Sequence, residues 1–121
     1  MADNDITIRP LTINDLDAVV VLDRHLSQVS RRGFFEKRLK AQTRDADAFV
    51  SIAACEGHEM VGFSLAHILH GEFGGLATVA VLDALTVAPE RQASGIGHEL
   101  MEFGVVQRHQ LGQVGRVQRL L

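Results

Sequence analysis

The residues best suited to chemistry in this 121-residue chain lie between Pro89 and Gly97, where a polar loop follows an apolar stretch. Two glycines, Gly95 and Gly97, stand where this loop leads into a predicted helix. The first turn of a helix has N–H groups without internal acceptors and carries partial positive charge. Glycine lets a ligand approach the backbone closely and permits positive φ. The loop is therefore a candidate site for an anion such as a pyrophosphate.

Two well-known phosphate-binding motifs do not fit this loop. A dinucleotide fingerprint requires a third glycine shortly after Gly97, where the sequence reads His98-Glu99-Leu100. A P-loop requires Gly-Lys-Ser or Gly-Lys-Thr, and no lysine follows Lys40. Spacing alone leaves two possibilities of equal weight, an anion site and an ordinary strand–helix turn whose glycines serve packing.

A single charged residue, Asp83, interrupts the most apolar run of the chain, Ala77–Val87. Burying a carboxylate without a partner costs at least several kcal/mol of folding free energy. A functional reason for Asp83 is therefore favoured over a structural one. The alternative is that Asp83 lies at a splayed strand or a sheet edge and is solvated.

Other residues that could bind metals or react have simpler explanations. His67 and His70 have H-x-x-H spacing, but on a strand and its exit loop they would not point the same way, and no third ligand is evident. We expect exposed, unrelated histidines and no metal site. His98, which follows the glycines, faces either a phosphate or solvent. Cys55, the only cysteine, is expected to be a buried, inert thiol.

Apolar spacing and turn residues predict the elements that must position these groups. The predicted strands are Ile6–Arg9, Ala48–Cys55, Met60–Ile68, Ala77–Val87 and Val114–Leu121, and the predicted helices are Ile13–Leu26, Arg31–Gln42 and Gly97–Gln110. Thr12 and Asp15 resemble a capping box ahead of the first helix. The order β-α-α-β-β-β-α-β predicts one α/β (α+β) domain over residues 1–121, with a right-handed crossover to a parallel last strand.

Composition excludes several classes of function. A formal net charge of −3 argues against a general nucleic-acid binder, whose phosphate contacts need a basic surface. No apolar run approaches the ~20 residues of a spanning helix, and the N-terminus lacks a basic segment, so we expect no membrane partner and a cytoplasmic protein. One cysteine excludes an internal disulfide, and the sequence has no tyrosine.

Several stretches resemble one enzyme family, the GNAT superfamily of N-acetyltransferases. Gln92-Ala93-Ser94-Gly95-Ile96-Gly97 matches the family's Q/R-x-x-G-x-G/A motif. Leu85–Glu90 resembles the end of its fourth strand, while Ile6–Leu11 and Asp15–Val19 resemble its first strand and helix. The resemblance covers nearly the whole chain and implies a GNAT-like mixed central sheet with helices on both faces.

The resemblance implies that the chain binds acetyl-CoA as a co-substrate, without a metal, and transfers its acetyl group to an amine. The backbone that would pair with the pantetheine arm is that of Leu85, Thr86 and Val87. The backbone amides that would hold the pyrophosphate, assisted by the Arg91 side chain, are those of Gln92, Ala93, Ser94, Gly95, Ile96 and Gly97. The Leu85 N–H would stabilise the oxyanion of the tetrahedral intermediate.

A general base must deprotonate the acceptor amine, because an alkylammonium has no lone pair with which to attack. Many members of the family carry a carboxylate on the fourth strand, two residues before the leucine that corresponds to Leu85. Asp83 occupies this position. The resemblance therefore implies that Asp83 is the base.

The predicted second helix carries basic and aromatic residues. Its basic residues are Arg31, Arg32, Lys37 and Arg38. We expect them on a solvated face, with the coenzyme 3′-phosphate or an acidic acceptor as alternative partners. Phe34 and Phe35 are expected in the core.

The resemblance breaks down at the C-terminus. Chains of the family continue through another helix and two more strands, and a tyrosine from that helix often protonates the coenzyme thiolate, whereas this sequence stops at Leu121. We therefore expect a C-terminally truncated domain with a partial site, or a homodimer with the C-terminal region at the interface. The leading interpretation is an N-acetyltransferase whose acceptor is a small amine, a peptide N-terminus or a lysine. The alternatives are a non-catalytic coenzyme-A-binding or dimerisation module, and a degenerate chain that binds nothing tightly.

Overall fold

A five-stranded sheet runs through the computed structural model, which describes residues 6–70, 78–100 and 116–119. The strands are β1 (Ile6–Pro10), β2 (Phe49–Glu56), β3 (Glu59–His70), β4 (Thr78–Val87) and β5 (Arg116–Arg119). The helices are α1 (Leu16–Ser27), α2 (Arg32–Arg44) and α3, which begins at residue 96 and is described to residue 100. This order confirms the predicted β-α-α-β-β-β-α-β arrangement.

The sheet is mixed, as predicted. Its strands lie in sequence order, and β1 to β4 pair antiparallel, with α1 and α2 in the connection from β1 to β2. β5 pairs parallel to β4, from Val79 opposite Arg116 to Leu82 opposite Arg119. A parallel neighbour requires a crossover connection, and α3 begins that connection. The chain between residues 101 and 115, which includes the rest of the predicted helix and its predicted end at Gly112, lies outside the described residues.

The start of α1 confirms the predicted capping box. The Thr12 hydroxyl accepts a hydrogen bond from the Asn14 N–H, and the Asp15 carboxylate accepts one from the Thr12 N–H at 2.8 Å. A short 3-10 turn, Ile13–Asp15, leads into the helix. Arg9 at the end of β1 donates to both Asp15 oxygens, at 2.8 and 2.9 Å, so the cap also ties the helix to the sheet.

Helices cover both faces of the sheet. Successive side chains of a strand point to opposite faces, so each strand contributes apolar residues to both layers. On β2, Ala53 and Cys55 belong to the cluster that contains α1 and α2 residues. Ile52 and Ala54 belong to a second cluster with Ile96 and Leu100 of α3, on the opposite face. Cys55 is a buried free thiol, as expected.

Helix α1 is joined to the start of α2 by an ion pair between a buried carboxylate and a partly exposed guanidinium. Asp23 of α1 is 2% exposed, and the Arg31 guanidinium donates to its two carboxylate oxygens at 2.5 and 3.0 Å. The hydrogen bond to Asp23 raises the pKa of Arg31 above its ordinary value. Arg31 also lies over the rings of Phe34 and Phe35. Phe35 is buried as predicted, but the prediction is wrong for Phe34, which is 44% exposed because it lies on the outer side of α2.

No helix among the described residues is long and apolar enough to cross a membrane. The remaining predictions that lie outside the described residues concern the loop at residues 71–75 and the ends of the last strand, residues 114–115 and 120–121.

Candidate active site

A β-bulge places Asp83 on the side of the sheet that α2 covers. In the pairing of β3 with β4, Leu65 lies opposite Ala84 and Ala66 lies opposite Leu82, so Asp83 is an extra residue without a partner across the ladder. Ala84 packs in the cluster below α1 and α2, and Asp83 contacts α2 as well. Bulges re-aim side chains and are common beside active sites.

The Asp83 carboxylate accepts hydrogen bonds from two cationic or protonatable side chains. Arg38 of α2 donates through Nη2 at 2.6 Å, and His67 of β3 contacts the same oxygen, Oδ2, through Nδ1 at 2.7 Å. The Asp83 and Arg38 side chains are 17% and 10% exposed. The His67 side chain is 32% exposed, so this imidazole is the most accessible member of the group.

These contacts decide against one alternative and correct two expectations. Asp83 is not simply solvated, because its carboxylate contacts Arg38 and His67 and its side chain is 17% exposed. Arg38 does not lie on a solvated face, since its guanidinium is buried against the sheet and stacks over the Phe49 ring, 4.8 Å from the centroid. His67 is not an unrelated exposed histidine, because the strand turns it toward the same face as Phe63 and Leu65 and hence toward Asp83.

Beside Asp83, one edge of β4 has no paired strand among the described residues, and we call it the open edge. Pairing with β5 ends where Leu82 meets Arg119, and β4 continues to Val87 with no β5 partner among the described residues. Asp83 is the first residue beyond the last paired position. An unpaired strand edge presents a row of N–H and C=O groups that can bind an extended ligand as an added strand.

Hydrogen bonding at the end of β4 shows which backbone groups face this open edge. The Ala88 N–H donates to the Val61 oxygen of β3 at 2.8 Å. Because backbone groups alternate sides along an antiparallel strand, Thr86 also faces β3, while Leu85 and Val87 face away from it. The Val87 oxygen accordingly accepts from the Gln92 amide on that other side, at 3.2 Å. Leu85 and Val87 therefore present N–H groups to the open edge.

The glycine loop continues directly from this edge. Pro89–Ser94 forms a 3-10 turn held to β4 by Gln92, and Gly95 closes it in the left-handed conformation, with φ at +85°. The first hydrogen bond of α3 runs from the Glu99 N–H to the Gly95 oxygen at 3.1 Å. The N–H groups of residues 96 and 97 precede this bond and have no acceptor within the helix. The Gly95 turn and the start of α3 thus lie where the sequence predicts an anion site.

The other predicted residues of the loop have different surroundings. Gly97 lies in ordinary contact with Val87 and Leu85, since a Cβ there would meet their side chains at 3.6 and 3.8 Å. The Arg91 guanidinium forms an ion pair with Glu56 at the end of β2. Ala93 and Ser94 belong to the 3-10 turn, and their side chains lie outside the described part of the structure.

A cavity of about 610 Å³ lies between α1, the turn from β2 to β3 and the end of β4. Its acidic lining residues are Asp17, Glu59 and Glu90, and its histidines are His25 and His58. Three carboxylates repel an anion, so this cavity is not the place for a pyrophosphate. Across the residues that the structure describes, no three His, Cys, Asp or Glu side chains form a group able to hold a metal ion.

A comparison with protein family models shows to which family the chain belongs. The model of the Acetyltransferase (GNAT) family matches residues 18–117, which include most of α1, all of β2 to β4 and the glycine loop. The chain belongs to the GNAT acetyltransferase family. Proteins of this family transfer acetyl groups from acetyl-CoA to amines. A search of curated proteins found no match to the sequence.

Solved structures share this GNAT fold at low sequence identity. A transcriptional regulator from Bacillus halodurans C-125 is 20% identical with a TM-score of 0.81, and the alignment covers 97% of this chain and 82% of that one. Glucosamine-6-phosphate N-acetyltransferase from Arabidopsis thaliana is 16% identical with a TM-score of 0.78, covering 98% and 83%.

A third neighbour is an aminoglycoside acetyltransferase from an uncultured soil metagenomic sample, in complex with sisomicin. It is 19% identical with a TM-score of 0.75, and the alignment covers 100% of this chain and 80% of that chain. The three neighbours are described as a regulator and two different acetyltransferases, so their similarity to this chain shows only a shared fold.

Proposed function

We propose that this GNAT chain transfers the acetyl group of acetyl-CoA to the nitrogen of an amine. The observation that carries the proposal is the open edge of β4 from Asp83 to Val87, which leads without interruption into the Gln92–Gly97 loop. Coenzyme A has an extended pantetheine arm, which a strand edge can bind, and a pyrophosphate, which the start of a helix can bind.

The pantetheine arm is proposed to pair with the backbone of β4. Leu85 and Val87 supply the N–H and C=O groups that face the open edge, whereas the Thr86 backbone is used by β3. The Leu85 N–H is proposed to bind the oxyanion that develops on the thioester carbonyl. A fixed backbone donor aimed at developing charge commonly contributes about 10²–10³ in kcat.

The pyrophosphate is proposed to bind at the loop through backbone N–H groups, with no lysine involved. Gly95 turns the chain so that the start of α3 faces the loop, and Gln92 holds the loop against Val87. Arg91 is proposed to assist by leaving Glu56 for a phosphate oxygen. Exchange of one charged partner for another preserves an ion pair and costs little net free energy, about 1 kcal/mol or less at a partly exposed site.

The proton of the incoming ammonium is proposed to leave through the group centred on Asp83. This carboxylate lies at the point where β5 stops pairing, two residues before Leu85. At about 3.3 Å per residue, Asp83 and Leu85 are separated by about 7 Å along the strand, which leaves room for the reacting nitrogen between them.

The acceptor is proposed to be a primary amine, whether a small molecule, a peptide N-terminus or a lysine. The protein is proposed to act in the cytoplasm as a homodimer. Within the described residues β5 ends the sheet, and an uncovered edge favours pairing with a second chain. A mass of one chain that is unchanged on dilution in light scattering would contradict the dimer.

Two measurements test the proposal together. Acetyl-CoA is titrated calorimetrically, and release of free coenzyme thiol is followed with a panel of amines, a peptide and a lysine-containing protein. Gly95→Leu should abolish coenzyme binding, because a branched side chain at positive φ distorts the loop. Gly33→Leu is the control and should bind normally, because it adds the same side chain in the first turn of α2, where nothing lies within 4 Å of the Cβ position. Binding without turnover would indicate a non-catalytic coenzyme-A-binding module, and no binding would refute the proposal.

A further inference from the structure

We infer that His67, held by Asp83, is the general base that deprotonates the acceptor amine, and that Asp83 is its positioning residue. The inference rests on the proposed function and names the atom that takes the proton. The contacts that carry it join β3, β4 and α2, through His67, Asp83 and Arg38.

The hydrogen bond between His67 and Asp83 fixes the tautomer of the imidazole. The Asp83 Oδ2 already accepts from the Arg38 guanidinium, and a carboxylate oxygen has no hydrogen to give. The Nδ1 atom, 2.7 Å from Oδ2, must therefore carry the proton. In the neutral ring this leaves the lone pair on Nε2, the atom that points away from Asp83.

The positions of the two side chains favour Nε2 over the carboxylate as the proton acceptor. Both donors of the group converge on Oδ2, and the Asp83 side chain is only 17% exposed. The His67 side chain is 32% exposed, and Nε2 has no hydrogen-bond partner among the described residues. A substrate amine reaches the imidazole more readily than it reaches the carboxylate.

Arg38 completes the group by fixing the carboxylate. Its guanidinium is 10% exposed, lies over the Phe49 ring and donates to Asp83 at 2.6 Å. Among the described side chains, the charged groups that face His67 are Asp83 from β4 directly and Arg38 from α2 through Asp83. When His67 takes up a proton, the imidazolium keeps its hydrogen bond to the Asp83 carboxylate.

The transfer balances as follows. Nε2 of neutral His67 accepts one proton from the alkylammonium, and the nitrogen lone pair that this frees attacks the thioester carbonyl carbon. The new C–N bond forms and the C–S bond breaks, so that the sulfur leaves with the electron pair as a thiolate. The amine nitrogen gives up a second proton, which the thiolate takes up through water. The imidazolium returns the first proton to solvent, and the products are an acetamide and the free coenzyme.

The first test needs no turnover. In protein labelled with ¹⁵N on histidine, NMR at neutral to mildly basic pH should show His67 as the Nδ1–H tautomer, the minor form of free histidine. Asp83→Ala should shift it toward the Nε2–H form. If the loss of Asp83 leaves Arg38 buried without a partner and the protein unfolds, the double variant Asp83→Ala, Arg38→Met provides the comparison. An Nε2–H tautomer in the unaltered protein would overturn the inference.

The second test uses acetyl-CoA with the amine that gives turnover. His67→Gln should lower kcat by about 100-fold or more while the KM for acetyl-CoA changes less than about twofold. Added imidazole should restore part of the rate in His67→Gly. His58→Gln, an exposed histidine in the turn from β2 to β3, is the control and should keep the full rate.

The assay distinguishes the two possible roles of Asp83, positioning residue and general base. If Asp83 positions His67, the variant carrying both His67→Gln and Asp83→Asn should be no slower than His67→Gln alone. If Asp83 is itself the base, Asp83→Asn should abolish turnover and His67→Gln should retain it, which would overturn the inference. Failure of the proposed function gives a different result from failure of this inference. In that case the unaltered protein neither binds acetyl-CoA nor acetylates any amine, while the tautomer measurement still reports on His67.

Discussion

Among the described glycines, Gly62 on β3 has the least room for a side chain, because α3 packs directly against it. A Cβ at this residue would lie 3.2 Å from the Leu100 side chain, 3.2 Å from the Thr86 backbone oxygen and 3.3 Å from the Ile96 side chain. The two side chains belong to the helix that follows the glycine loop. We therefore predict that Gly62→Ala destabilises the fold and displaces the start of α3.

The magnitude follows from two opposing terms. Overpacking by one carbon in a packed core costs about 1–3 kcal/mol, and one of the three contacts is to a backbone oxygen in a paired strand, which cannot rotate away. Replacing glycine by alanine returns about 0.4–1 kcal/mol through the entropy of the unfolded chain. The expected net loss is about 1–2 kcal/mol, which lowers Tm by roughly 4–8 °C at about 4 °C per kcal/mol.

Gly33→Ala is the matched control for this substitution. Gly33 lies in the first turn of α2, and nothing lies within 4 Å of the position its Cβ would take. The same chemical change should therefore stabilise the protein by up to about 1 kcal/mol. Urea unfolding of both variants, with acetyl-CoA titrations of the folded proteins, gives the comparison. A Gly62→Ala protein as stable as Gly33→Ala, with unchanged affinity for acetyl-CoA, would refute the packing of α3 described above.

Two further predictions concern buried and capping carboxylates. Arg31→Ala should cost about 3–5 kcal/mol in urea unfolding, because it leaves the buried Asp23 carboxylate without its cation; a loss below about 1 kcal/mol would contradict this pairing. The hydrogen bond from Arg9 lowers the pKa of Asp15, so the stability that this carboxylate contributes is complete above about pH 4 to 5 and is lost as pH falls through the folded-state pKa. Asp15→Asn should therefore destabilise by about 1–2 kcal/mol at pH 7 and by progressively less as the pH falls below about 4, and a pH-independent difference would contradict the assignment.

The order of elements and the position of the glycine loop could be predicted because their signals are local. The alternation of β2, the capping box at Thr12 and Asp15, and the sequence Gln92–Gly97 each lie within a few consecutive residues. Local patterns fix which face of a strand or helix is apolar, and here those faces determine how the layers stack.

The group around Asp83 could be predicted only in part, because its members come from three elements. The apolar strand indicates that Asp83 needs a partner, but Arg38 lies 45 residues away and His67 lies 16 residues away. The bulge that turns Asp83 toward α2 has no sequence signature of its own. A usable signal was present: Arg38 follows Phe35 at helical spacing and His67 follows Leu65 at strand spacing, so both face the core side on which Asp83 also lies.

The most direct test of the account is a titration of ¹⁵N-labelled protein with acetyl-CoA, followed residue by residue through the backbone amides. We predict that the largest shifts fall on the amides of Leu85 and Val87 at the open edge and on residues 95–97 at the start of α3. Shifts confined to the acidic cavity around His58 and Glu90, or no shifts at all, would contradict the claim that the open edge of β4 and the glycine loop together hold the coenzyme.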